Sequence, residues 1–136
     1  MQGFEDVTLG WQGVEYVVPA NRQMMLIAKI EDALSGDSGR QALSILFQRE
    51  GPPYTRLAGA YAAALRHAGA KVSDEEVYLS IMADISSRSK REVTQVIQGA
   101  IIALLSIISP PAALSLKGGE DAGKKTPPGT LSETPS

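Results

Sequence analysis

The stretch from Arg91 to Ile108 constrains this chain most, because it is too apolar for one side of a surface helix and then stops abruptly. At about 100° per residue, Val93, Val96, Ile97, Ala100, Ile101, Leu104, Leu105, Ile107 and Ile108 cover a stripe roughly 180° wide. A surface helix needs a stripe of about 100°. Ile102 falls on the opposite side, among Gln95, Gln98 and Ser106. Ser109-Pro110-Pro111 then ends the helix, since proline has no N–H and its ring clashes with the preceding turn. Such a helix is either the central element of a bundle or a surface for another protein. On the second reading Ile101, Ile102, Leu105 and Ile108 are the candidate partner-binding residues.

Before this helix the pattern predicts one domain over 1–108. Val7, Leu9 and Trp11 alternate with Thr8 and Gly10, and Val14-Glu15-Tyr16-Val17-Val18 follows. β-branched and aromatic residues at period two read as strands, and Gln12-Gly13 between them suits a tight turn, giving a hairpin over 5–18. Two strands alone are marginal in water, so the hairpin has to pack on helices or pair with a strand of another chain.

Helices are expected over about 22–34, 40–49, 53–68, 73–86 and 91–108. Asn21 is the expected N-cap of the first, with Met24 or Met25, Ile27, Ile30 and Leu34 facing inward. The second is expected to bury Leu43, Leu46 and Phe47. Tyr54, Leu57, Ala58, Tyr61, Ala62 and Leu65 make the stripe of the third, which Gly69 terminates. Ser73 with Glu76 three residues on predicts a capping box for the fourth, which would bury Val77, Ile81 and Ile85. The predicted fold class is α+β, mostly α: a hairpin packed on a bundle of about five helices.

From Ala112 onward, glycine, proline, serine and threonine dominate. Such residues bury too little to offset an ordering cost of about 1–2 kcal/mol each, so 109–136 reads as a flexible polar tail. Leu114 and Leu116 are its only candidates for weak contacts.

Composition narrows the function classes. Aromatic residues make up 5% of the 136, so the core has to be built from Leu, Ile, Val, Met and Ala. A net charge of −2 offers no electrostatic footprint for nucleic acid or an anionic membrane, and neither is an expected partner. The absence of cysteine excludes disulfides, zinc–thiolate sites and thiol catalysis. The first residues show no signal-peptide pattern, and the apolar run 99–108 has about ten residues where a bilayer span needs about 20. A soluble protein of the cytoplasm is expected.

No constellation for chemistry emerges, and no catalytic, cofactor-binding or metal-ligating residue is assigned. His67, the single histidine, has no acidic or imidazole partner at helical spacing and reads as a helix-end residue. Helix capping accounts for Asp74, Glu75 and Glu76, which lack the alternation and central glycine of a calcium loop. Gly10-Trp11-Gln12-Gly13 lacks the Lys-Ser/Thr ending of a phosphate loop. The basic run 86–91, flanked by Asp84 and Glu92, reads as a solvated connector. A helix-turn-helix over 72–97 would offer only Gln95 and Gln98 as base readers, which makes a small DNA-binding regulator the weaker alternative.

The order of features resembles the tail assembly chaperones of long-tailed phages, in the branch that includes gene-transfer-agent proteins. The likeness spans Val7 to Ile85. It rests on the hairpin, on Ile30-Glu31-Asp32-Ala33-Leu34, and on an Ala-rich helix ending Leu65-Arg66-His67-Ala68-Gly69 before Ser73-Asp74-Glu75-Glu76. The apolar helix 91–108 lies outside it. This resemblance implies a non-enzymatic assembly factor that coats the tape measure protein, helps recruit tail tube protein in the host cytoplasm and is missing from the mature virion. It also implies a longer frameshifted form, for which Gly123-Lys124-Lys125 marks a place. A structural virion or scaffold subunit forming homo-oligomers through the hairpin edge is the alternative from another class.

Overall fold

The computed structural model describes residues 5–48 and 51–115. Gln12 and Gly13 both take positive φ, 51° and 79°, the pair of conformations that a type I′ turn requires. That turn joins β1 (Val7–Trp11) to β2 (Val14–Val18), antiparallel, with Val7 opposite Val18 and Trp11 opposite Val14. Leu9 and Val18 are fully buried, and Val7, Trp11 and Tyr16 half-buried on the same face. Thr8, Gly10, Glu15 and Val17 face outward. The hairpin gains its stability by lying on helices, as a two-stranded sheet must.

A 3-10 turn (Ala20–Arg22) leads into α1 (Gln23–Ser35), which places Asn21 inside the turn and corrects its expected role as N-cap. The buried row of α1 is Leu26, Ile30 and Leu34, all fully enclosed. Met24 and Met25, expected inward, are 79% and 67% exposed. Met24 lies about 200° around the helix from Leu26, so the two cannot share a face.

Helix α2 (Ala42–Leu46) is shorter than the expected 40–49. It buries Ala42, Ile45 and Leu46, a set at i, i+3 and i+4. Leu43 and Phe47, both expected inside, are exposed, because Phe47 has already left helical geometry and Leu43 falls off that face.

Helix α3 (Tyr54–His67) carries the anticipated stripe in part: Leu57, Ala58, Ala62 and Leu65 are buried, Tyr61 is half-buried and Tyr54 exposed. Ala60 and Ala64 are buried too, so α3 is enclosed on more than one side. At its end the Ala70 N–H donates to the Leu65 carbonyl and the Gly69 N–H to that of Arg66. With Gly69 at φ 106° this is a Schellman cap, and buried Ala70 supplies its apolar contact.

The capping box of α4 (Asp74–Ser87) forms as its sequence predicts: the Glu76 N–H donates to Ser73 Oγ at 3.1 Å and the Ser73 N–H to Glu76 Oε1 at 2.8 Å. A second box opens α5 (Lys90–Ile108), between Ser89 and Glu92. Its S-x-x-E signature stands in the sequence, and it turns the end of the expected connector into a helix start.

The chain does not leave the fold at Ile108, which corrects the start of the tail. Residues 110–115 are helical, with Pro110 and Ala113 buried. Proline ends α5 and also starts the new turn, since a first helical position needs no N–H donor. The Ser109 carbonyl accepts from Ala112 and Ala113. Of the expected tail, 116–136 lies outside the described residues, Leu116 included; Leu114 is exposed.

The result is α+β, mostly α, as the pattern predicts. Helix α3 packs against α1, α4, α5 and the hairpin, so its buried alanines set how closely the rest can approach. Leu65→Ala should cost about 2–5 kcal/mol by leaving a cavity. Ala62→Leu should cost about 1–3 kcal/mol by overpacking. Urea denaturation of each variant against wild type measures both.

Candidate functional site

Helix α5 behaves as two halves. Ile101, Leu104, Leu105 and Ile107 are buried, against α1, α3 and β1. From Lys90 to Ala100 no residue is buried: Val93, Ile97 and Ala100 are half-covered and Val96 is 39% exposed. The helix is long and apolar enough, by length and composition, to cross a membrane, with 22% of its most apolar window buried. Core packing accounts for that grease in the second half only.

Helix α4 shows the mirror pattern. Val77 near its start is buried, while Ile81, Met82 and Ile85 further on are half-covered and Leu79 is exposed. It packs chiefly on α3 and barely meets α5. Between α4 and α5 lies a cleft of about 300 Å³. Leu57 and Tyr61 of α3 also line it, with Val77, Ser80, Ile81 and Asp84 on one wall and Val96, Ile97, Gly99 and Ala100 on the other. The hairpin tip, Gly10-Trp11-Gln12, lines it as well.

Gly99 is the unusual member. Glycine inside a helix costs about 1 kcal/mol relative to alanine. A Cβ at Gly99 would meet nothing within 4 Å, so packing within the described fold does not require the missing side chain. Gly99 also lines a second hollow of about 470 Å³ on the other side of α5, which Asp6, Thr8, Ile102, Ser106 and Pro110 share.

Two of the four proposed contact residues are corrected. Leu105 is fully enclosed and Ile101 is 7% exposed, because both sit on the face of α5 that holds the core. Ile102 and Ile108 remain half-covered. Ile102 is on the back of the stripe, as its position predicts, and there it faces the hollow beside β1.

The polar candidates are engaged in local structure. The Arg66 guanidinium donates to the Val72 carbonyl at 3.1 Å and pairs with Asp74 at 2.9 Å, tying the end of α3 to the start of α4. His67 occupies the last turn of α3. In the basic connector Arg88 pairs with Asp84 at 3.2 Å. The Ser89 N–H and hydroxyl hold the Glu92 carboxylate below its ordinary pKa. Among the described residues, no three His, Cys, Asp or Glu side chains gather where a metal could sit.

No family model, curated protein or solved structure matches this chain.

Tyr61 ties α3 to the hairpin tip across the cleft lining, its hydroxyl donating to the Gly10 carbonyl at 2.9 Å. Burial pushes the Tyr61 phenol above its ordinary pKa. The folded state thus favours the neutral phenol. That stabilisation is complete below the unfolded value of about 10 and is lost as pH rises through the raised folded value. Tyr61→Phe should lower stability by about 1 kcal/mol at neutral pH. It should also flatten the decline above about pH 10. Urea midpoints for both proteins on either side of that pH are the measurement.

Proposed function

We propose that this protein is a non-enzymatic phage tail assembly chaperone that holds amphipathic helices of a tape measure protein in the cleft between α4 and α5. The likeness over 7–85 supports the client class, and the apolar lining of the cleft supports the choice of site. An amphipathic helix docks by laying its apolar face in a hydrophobic groove, with anchors three and four residues apart. Ile81, Val96, Ile97 and Ala100 offer such a groove, and Ile102 extends the apolar surface around α5.

The observation that carries this reading is Gly99. It weakens α5 where helix propensity matters, and it leaves open space on the wall of the cleft. A partner backbone approaching closely at that point explains both features. On this reading the chaperone works in the host cytoplasm, shields the tape measure protein until tail tube protein assembles around it, and then departs.

Co-expression with a tape measure protein from the same genome tests the proposal. Wild type should carry the client into the soluble fraction; unchanged client solubility would sink the idea. Gly99→Ala should stabilise the isolated protein by about 0.5–1 kcal/mol. Gly99→Leu, whose Cβ meets nothing within 4 Å, should reduce client recovery about tenfold, an effect of about 1.4 kcal/mol on binding, while its urea midpoint stays at or above that of wild type. Mass spectrometry of purified particles separates this role from that of a virion subunit, because a chaperone is missing from them.

A further inference from the structure

We infer that the free edge of β2 pairs antiparallel with β2 of a second copy of this chain, about a two-fold axis through Tyr16. The argument starts at the hairpin turn and is independent of the proposed client. A two-residue type I′ turn closes on a hydrogen-bonded pair, here Trp11 with Val14. Pairs then alternate along an antiparallel ladder. Leu9 with Tyr16 and Val7 with Val18 are therefore hydrogen-bonded pairs, whereas Gly10 with Glu15 and Thr8 with Val17 turn their N–H and C=O groups outward.

The two edges differ in what meets those groups. On the β1 side the Gly10 carbonyl accepts from the Tyr61 hydroxyl, and α5 packs against the strand. On the β2 side the backbone groups of Glu15 and Val17 find no partner among the described residues. Glu15 is the one charged residue on this edge. Val14–Val18 contains no lysine, proline or bulge, and Val14 and Val17 are 50% and 47% exposed. Exposed edges of this kind are templates for another strand.

A second copy fits because the free groups are symmetric about Tyr16. With Tyr16 opposite Tyr16 of the partner subunit, Glu15 stands opposite the partner's Val17, and Val17 opposite the partner's Glu15. Each of those two pairs exchanges both backbone bonds, which makes four. Glu15 meets valine across the seam, so no like charges stand directly opposed. Tyr16 already donates and accepts within the hairpin, and the central pair is then the close, non-bonded kind that brings side chains together. A hollow of about 450 Å³ lies on the same face, lined by Val14, Tyr16, Gly69, Lys71 and Val72. A strand-to-strand contact of this length falls in the small, transient class of interfaces, so the dimer is reversible.

Sedimentation velocity of the full chain across roughly 10 μM to 1 mM reads the association, and amide exchange reads its location. Wild type should shift from monomer to dimer, with the Glu15 and Val17 amides slowing as concentration rises. Val17→Pro removes two of the four bonds without touching the β1–β2 ladder, and proline is tolerated on an edge. It should weaken association at least tenfold; Val17→Glu, which keeps the backbone intact and sets a second carboxylate directly opposite Glu15 across the seam, should do the same if the proline variant fails to fold. The inference is overturned if wild type stays monomeric at the highest concentration. It is equally overturned if both variants dimerise like wild type, or if those two amides exchange at rates independent of concentration. Client recovery is scored separately, so a failed dimer leaves the chaperone proposal standing and a failed chaperone leaves the dimer standing.

Discussion

Close packing around an alanine-rich helix is the constraint on which the rest of this structure depends. Ala58, Ala60, Ala62 and Ala64 are buried on α3 together with Leu57 and Leu65, and α1, α4, α5 and the hairpin all rest on that one element. Small side chains let neighbouring backbones approach, and the larger residues of those neighbours fill the space. Leu26, Ile30 and Leu34 of α1, Leu9 and Val18 of the hairpin, and Leu104, Leu105 and Ile107 of α5 are the fully buried branched residues that do so. A chain with so few aromatic residues cannot fill its core with rings, and alternating small with branched aliphatic residues is the solution left to it.

That arrangement also decides where the fold is incomplete. One face of α3 receives α4 near Val77, and the core receives α5 from Ile101 onward, but the far half of α4 and the near half of α5 extend past the elements that could cover them. The capping box at the start of α5, and an ion pair from Arg88 to Asp84 at the end of α4, support these halves as helix where tertiary cover is partial. On the proposed function, this apolar cleft is where a client helix is taken up. The same economy holds at the hairpin, where α5 and Tyr61 attend to β1 and leave β2 with unused backbone groups.

Much of the fold was legible because its signals are local. Gln12-Gly13 dictates its turn through φ, Gly69 its Schellman cap, and Ser73 with Glu76 its capping box, each within a few residues. The second box, Ser89 with Glu92, is equally local, but the charges around it also fit a solvated connector, so its sequence carries two readings. Periodicity located α3 well but misjudged α1 and α2. Met24, Leu43 and Phe47 are as apolar as the residues that replaced them inside, and only the neighbouring elements decide which of two adjacent stripes is covered.

The candidate site shows the same division more sharply. By itself the sequence determined that α5 has more apolar surface than one face can bury and that Ile102 stands apart from the main stripe, because these follow from residue identity and helical period. Only the tertiary structure decided that Leu105 and Ile101 belong to the core, that β1 runs beside Ile102, and that the uncovered surface belongs to the first half of α5 and the second half of α4. Burial is a property of what lies opposite a side chain. A pattern along one helix carries no record of where its neighbours end.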